Sequence, residues 1–158
     1  GEVTVKGDTF EVFGETWQGV RAGVMDLTND IAKGKNTITK LIHEFSPPSE
    51  NNTADYIKTV SGAVGIGANT VIKKDDFNLF LKLVPAMIRI ESGANASKFI
   101  TTDDIQKGIT EAFISRGYKL PTGVKPSVSE KKKGTATSIT EILIAVFLII
   151  GLLLFLNK

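Results

Sequence analysis

One carboxyl group stands where chemistry is conceivable. Glu91 follows the stretch Ala86-Met87-Ile88-Arg89-Ile90 and precedes Ser92-Gly93, at the expected end of a helix. A single carboxyl can serve as general acid and base when its surroundings hold its pKa near the working pH. The other reactive residues read differently. Asp75-Asp76 and Asp103-Asp104 are carboxylate pairs, but each stands where a helix is expected to begin, and the helix dipole favours acids there. His43 is the one histidine of the 158 residues, so no His-based metal site forms, and it is read on a solvated helix face. Cysteine is absent, which excludes disulfides, thiolate metal sites and a cysteine nucleophile. Neither a metal nor a cofactor is expected. Gly62, Gly65 and Gly67 lack the preceding strand and the Lys-Ser/Thr ending of a phosphate loop. The net charge is +2 and the basic residues are scattered apart from Lys131, Lys132 and Lys133, so a dedicated nucleic-acid surface is not expected.

The elements that would position these groups are mainly helical. In residues 1–13 the alternation of Val3 with Val5 and of Phe10 with Val12, around Lys6-Gly7-Asp8, suggests a short β-hairpin. A helix already starting at Asp8 or Thr9 is the competing reading. From about residue 15 to 45 the apolar positions Trp17, Val20, Val24, Leu27, Ile31, Ile38, Leu41 and Phe45 step by three and four, with Gly34 as the one entry lacking an apolar side chain. This predicts one long helix with a heptad seam, of the kind found in coiled coils. Gly14, Gly19, Gly23 and Gly34 would let a neighbouring backbone approach. Ser46-Pro47-Pro48 should stop the helix. A second helical stripe runs through Ile57, Val60, Val64, Gly67 and Val71, capped by Thr53 or Asp55. A third carries Phe77, Phe80, Leu81, Val84 and Ile88, capped by Asp75, with Pro85 expected to kink or split it. A fourth fits residues 102–116, capped by Thr101 or Thr102, with Ile105, Ile109 and Phe113 buried and Gly117 as its stop. The first two helices suggest an antiparallel pair, which the others complete as a bundle.

The remaining chain is different in kind. Residues 118–138 hold Pro121, Gly123, Pro126, serines, threonines and lysines without periodicity, and read as a flexible linker. Residues 142–156 are all apolar or glycine. As a helix that run is roughly 22 Å long, and the uncharged residues 135–140 bring it to the ~30 Å of a hydrocarbon core. The expectation is a single C-terminal transmembrane helix over 139–157, with Ile142, Phe147, Leu152 and Phe155 in lipid. Lys131, Lys132 and Lys133 stand before it and would meet anionic headgroups, at roughly 1 kcal/mol each. Glu141 falls at the boundary, where a carboxylate needs water or a partner cation. Positive flanks stay on the cytoplasmic side, which places the body there, or correspondingly in a viral membrane. The division is thus a helical body over 1–117, a linker over 118–138 and an anchor over 139–157.

Residues 86–96, Ala-Met-Ile-Arg-Ile-Glu-Ser-Gly-Ala-Asn-Ala, resemble the catalytic-glutamate segment of the soluble lytic transglycosylases. In that family a helix ends in Glu-Ser-Gly and is soon followed by Asn and a small residue. The resemblance implies Glu91 as the acid/base that cleaves peptidoglycan glycan strands, with Ser92 and Gly93 shaping the turn behind it. It extends no further. Ser97-Lys98-Phe99-Ile100 stands where the family has a Gly-Leu-Met-Gln-type segment.

Two function classes follow. One is a structural or interaction protein that tethers a helical body to a bilayer, through self-association or other protein subunits. A minor membrane protein of a lipid-containing virion and an envelope scaffold both fit. The alternative is a membrane-anchored lytic transglycosylase using Glu91. The long seam and the poverty of reactive groups favour the first.

Overall fold

The structure is a computed structural model and describes residues 2–5, 8–11, 13–46, 52–92 and 99–126. Two strands, β1 (Glu2–Val5) and β2 (Asp8–Glu11), pair antiparallel, with Val3 opposite Phe10 and Val5 opposite Asp8. The hairpin reading of the first residues is therefore the one adopted. Among the described residues five helices follow: α1 (Thr16–Ala32), α2 (Ile38–Phe45), α3 (Thr53–Val64), α4 (Phe77–Ser92) and α5 (Thr102–Ser115).

The single long helix expected over 15–45 is two helices, which corrects the continuous coiled-coil reading. The chain turns at Gly34, whose φ of +93° is strained for any residue with a Cβ. It restarts at Thr37, whose side chain accepts the Lys40 N–H at 3.2 Å. Lys35 ties the halves together, reaching Asp30 at 3.5 Å and Glu44 at 2.5 Å. These ion pairs are half-exposed and contribute less than about 1 kcal/mol. The hydrogen bond to Glu44 raises the Lys35 pKa most, against an opposing effect of burial.

The second helix also ends earlier than its stripe. Gly65 takes φ +79° and closes α3. Val71 lies in the loop beyond, 67% exposed, while Ile72 turns into the core. That loop is pinned to the start of α2. Thr39 donates its N–H to Ala68 O at 3.0 Å, and Ile72 donates to Asn36 O at 2.8 Å. At the other end the Thr53 hydroxyl donates to Ser46 O at 2.8 Å. The antiparallel pair is thus α2 with α3. Pro85 lies inside α4 without ending it. Buried Phe80, Leu83 and Val84 before it and Ile88 after it hold the helix in register. Their packing outweighs the few kcal/mol that an internal proline costs. Asp76, next to the expected Asp75, accepts the Leu79 N–H at 3.0 Å. Thr101 and Asp104 form a reciprocal cap on α5.

The first seam closes inside this chain. Val20, Val24, Leu27 and Ile31 on α1, and Ile38 and Leu41 on α2, are all buried, and α1 packs against α5. The pair runs parallel. Lys107 sits over the Trp17 ring at 4.3 Å. Arg21 donates to the Ser115 hydroxyl at 2.9 Å, and Arg116 donates to Asn29 Oδ1 at 2.6 Å and Met25 O at 3.0 Å. A close approach that glycine permits lies on α5. A Cβ on Gly108 would stand 2.6 Å from Val20 Cβ and 2.8 Å from the Trp17 carbonyl oxygen. The core is finished by aromatic rings: Phe113 meets Phe77, Phe80 and Tyr118 edge-on, with centroids 5.2, 5.3 and 5.4 Å away.

Tyr118, with the partly buried Leu120 and Val124, lays the first residues of the expected linker against the core. These apolar side chains make 118–126 part of the body. The rest of the linker and the expected transmembrane helix lie outside the described residues. Among the described residues no helix is long and apolar enough to cross a membrane.

Candidate functional site

Glu91 occupies the last turn of α4, and the antiparallel packing of α3 on α4 carries it to the first turn of α3. There a polar cleft of about 400 Å³ opens, lined by Ser46, Asn52, Asp55, Tyr56, Thr59, Ile90 and Glu91. Each wall has a local cause. Ser46 caps the end of α2, its N–H donating to Ile42 O at 2.7 Å. Asn52 caps α3: its side-chain oxygen accepts the Asp55 N–H at 3.3 Å, and its amide NH2 donates to the Asp55 carboxylate. Tyr56 follows on the inner face of α3, in line with buried Thr53, Val60 and Val64.

Two groups in this cleft are held away from their ordinary protonation behaviour. Tyr56 is only 7% exposed, and its hydroxyl, screened from solvent, completes no hydrogen bond. Burial holds the phenol protonated, well above the usual tyrosine range, and the nearby Glu91 charge reinforces this. Burial also raises the Glu91 carboxyl above its ordinary value, while the Tyr56 hydroxyl opposes that rise by favouring the carboxylate. Among the described residues no cation pairs with Glu91.

The raised carboxyl has a consequence for stability. Between the unfolded and folded pKa values of Glu91, the folded chain holds more protons than the unfolded chain. Stability therefore falls as pH rises through that window, which opens near the ordinary 4.5 and extends upward. A Glu91→Gln variant lacks this fall. Urea midpoints of variant and parent, taken from acid to neutral pH, should coincide most nearly in acid, with the variant gaining as pH rises. A difference that shrinks toward neutral pH would mean the carboxylate is stabilised in place.

The other sequence candidates are dispersed. His43 is exposed on α2, and Asp75, Asp76 and Asp103 are exposed at helix starts. Trp17 is half-buried beneath Lys107 at the start of α1, and its indole N–H donates to Glu15. Lys131, Lys132, Lys133, Ile142, Phe147, Leu152 and Phe155 lie outside the described residues. Among the described residues no three His, Cys, Asp or Glu side chains gather as a metal site would need. Sequence reasoning missed Tyr56. Its signal was the stripe itself, since Thr53, Tyr56, Val60 and Val64 step by three and four as well as the stripe begun at Ile57 does.

Comparison with known proteins adds one relative. The chain is 33% identical over 106 residues to Protein P5 of Pseudoalteromonas phage PM2. The matched region covers 66% of this chain and 62% of the phage protein. No protein-family model matches the chain, and no solved structure matches it.

Proposed function

We propose that this protein is a non-enzymatic structural component of a virus particle, a helical body held to the viral membrane by residues 139–157 and engaging other virion subunits. The observation that carries the reading is the similarity to a phage protein, which is compatible with a virion structural role. The uninterrupted apolar run of 142–156 behind Lys131, Lys132 and Lys133 supports the membrane attachment. The body closes its own seam, so it needs no second copy to bury its core and would engage other subunits through other surfaces. Alkaline carbonate extraction of membranes from cells making the protein tests the reading. The full chain should stay in the membrane pellet and a chain ending at Pro126 should be released. Release of the full chain would remove the anchor from the account.

One observation favours the enzymatic alternative, a lytic transglycosylase using Glu91. A carboxyl with a raised pKa in an open polar cleft is what a glycan acid/base requires. Under that reading Glu91→Gln abolishes clearing of a peptidoglycan suspension with folding retained. Under the structural reading parent and variant are equally inert.

A further inference from the structure

The cleft between the ends of α2, α3 and α4 has a chemistry of its own, independent of the tether. Among the described residues its ionisable side chains are two carboxyls, Asp55 and Glu91, and a tyrosine, and no lysine, arginine or histidine lines it. Asp55 is held at the rim by the Asn52 amide, whereas Glu91 is half-buried and meets no cation among the described residues. Deeper still, the Tyr56 hydroxyl is more than nine-tenths buried and, although it lies close enough to Glu91 to favour its carboxylate, completes no well-formed hydrogen bond. A buried hydroxyl without a well-formed hydrogen bond and a half-buried carboxylate without a counter-ion are both costly to leave unmet. One kind of guest satisfies both: a compact cation that presents several N–H donors to the carboxylate and the phenol oxygen.

We propose that this cleft is a receptor for a guanidinium or alkylammonium group, with Glu91 as its counter-ion, Tyr56 as a second acceptor and Asp55 guarding the rim. The volume of about 400 Å³ is ample for an arginine or lysine side-chain end. Two sources offer this chemistry, a basic side chain of another protein subunit or a free small amine.

The test uses the full chain in detergent and follows backbone amide resonances of Tyr56 and Glu91. The probes are butylguanidinium, its neutral isostere butylurea, and a short peptide with one arginine flanked by glycines. Butylguanidinium should shift these resonances saturably and butylurea should not. Glu91→Gln, a variant expected to fold, should weaken butylguanidinium about tenfold or more, the loss of one charge-assisted contact. Tyr56→Phe should weaken it by a smaller factor. Tighter binding of the arginine peptide than of butylguanidinium assigns the site to a protein side chain, and equal binding assigns it to a free amine. No shift with butylguanidinium, or equal affinity in the Glu91→Gln variant, overturns the inference. So does a neutral chitotriose that shifts the same resonances when butylguanidinium does not, which would favour a glycan cleft instead.

Discussion

Phe113→Ala should cost about 3–5 kcal/mol of stability, the range for emptying a buried phenylalanine position. Phe113 is fully buried on α5 and touches rings from two other segments, Phe77 and Phe80 of α4 and Tyr118 beyond α5. Edge-to-face pairs add about 0.5–1.5 kcal/mol each beyond area burial. The loss would remove much of the ~5–15 kcal/mol that holds a domain of this kind together. It would also free residues 118–126, because Tyr118 rests on the same ring. Urea denaturation followed by the fluorescence of Trp17, the chain's one tryptophan, measures it. A loss below about 1 kcal/mol would show that the cluster is not the keystone of the α4–α5 contact.

Gly108→Ala is the second large effect, and its sign is the informative part. On helix propensity alone alanine should stabilise α5 by up to about 1 kcal/mol. The packing argues the reverse. The new methyl would meet Val20 Cβ and Cγ1 at 2.6 Å and the Trp17 carbonyl oxygen at 2.8 Å. Val20 Cγ1 can rotate away, but Val20 Cβ and the Trp17 oxygen move only if α1 moves. Overpacking of this kind costs about 1–3 kcal/mol, so the net result should be destabilisation, with a shifted Trp17 emission. A more stable Gly108→Ala variant would mean that α1 and α5 stand further apart than described.

How much was legible in the sequence depends on what each signal reports. The α5 helix was read nearly to the residue because its start carries local chemistry, Thr101 with Asp104, and its core stripe is unambiguous. The break between α1 and α2 was missed for a physical reason. Ile31, Gly34 and Ile38 keep the three-and-four step across a turn, so the apolar phase looks unbroken while the backbone leaves the helix at Gly34. Phase reports which side chains face the core, not whether the chain between them is helical. The better signals were glycine as a stop and Thr37 as a cap. The hairpin partner of the seam was misplaced for the same reason: once α2 is separate, it is α2 that folds back on α3. The first part of the linker was read as free because Tyr118, Leu120 and Val124 follow no regular period, yet they are apolar enough to dock. As for the site, the residue type of Glu91 drew notice, but its partner did not. Tyr56 meets Glu91 only through the antiparallel packing of α3 and α4, a contact between distant parts of the chain that no local pattern encodes.

The claim on which the account turns is that one chain closes its own seam, leaving attachment and assembly to other surfaces. Light scattering of residues 1–126, beside the full chain in detergent, measures this directly. The account predicts the mass of a single chain for residues 1–126, because Val20, Val24, Leu27 and Ile31 are already buried within one molecule in which α1 packs on α5. A dimer or larger species for that fragment would contradict it and make the α1 seam a contact between copies.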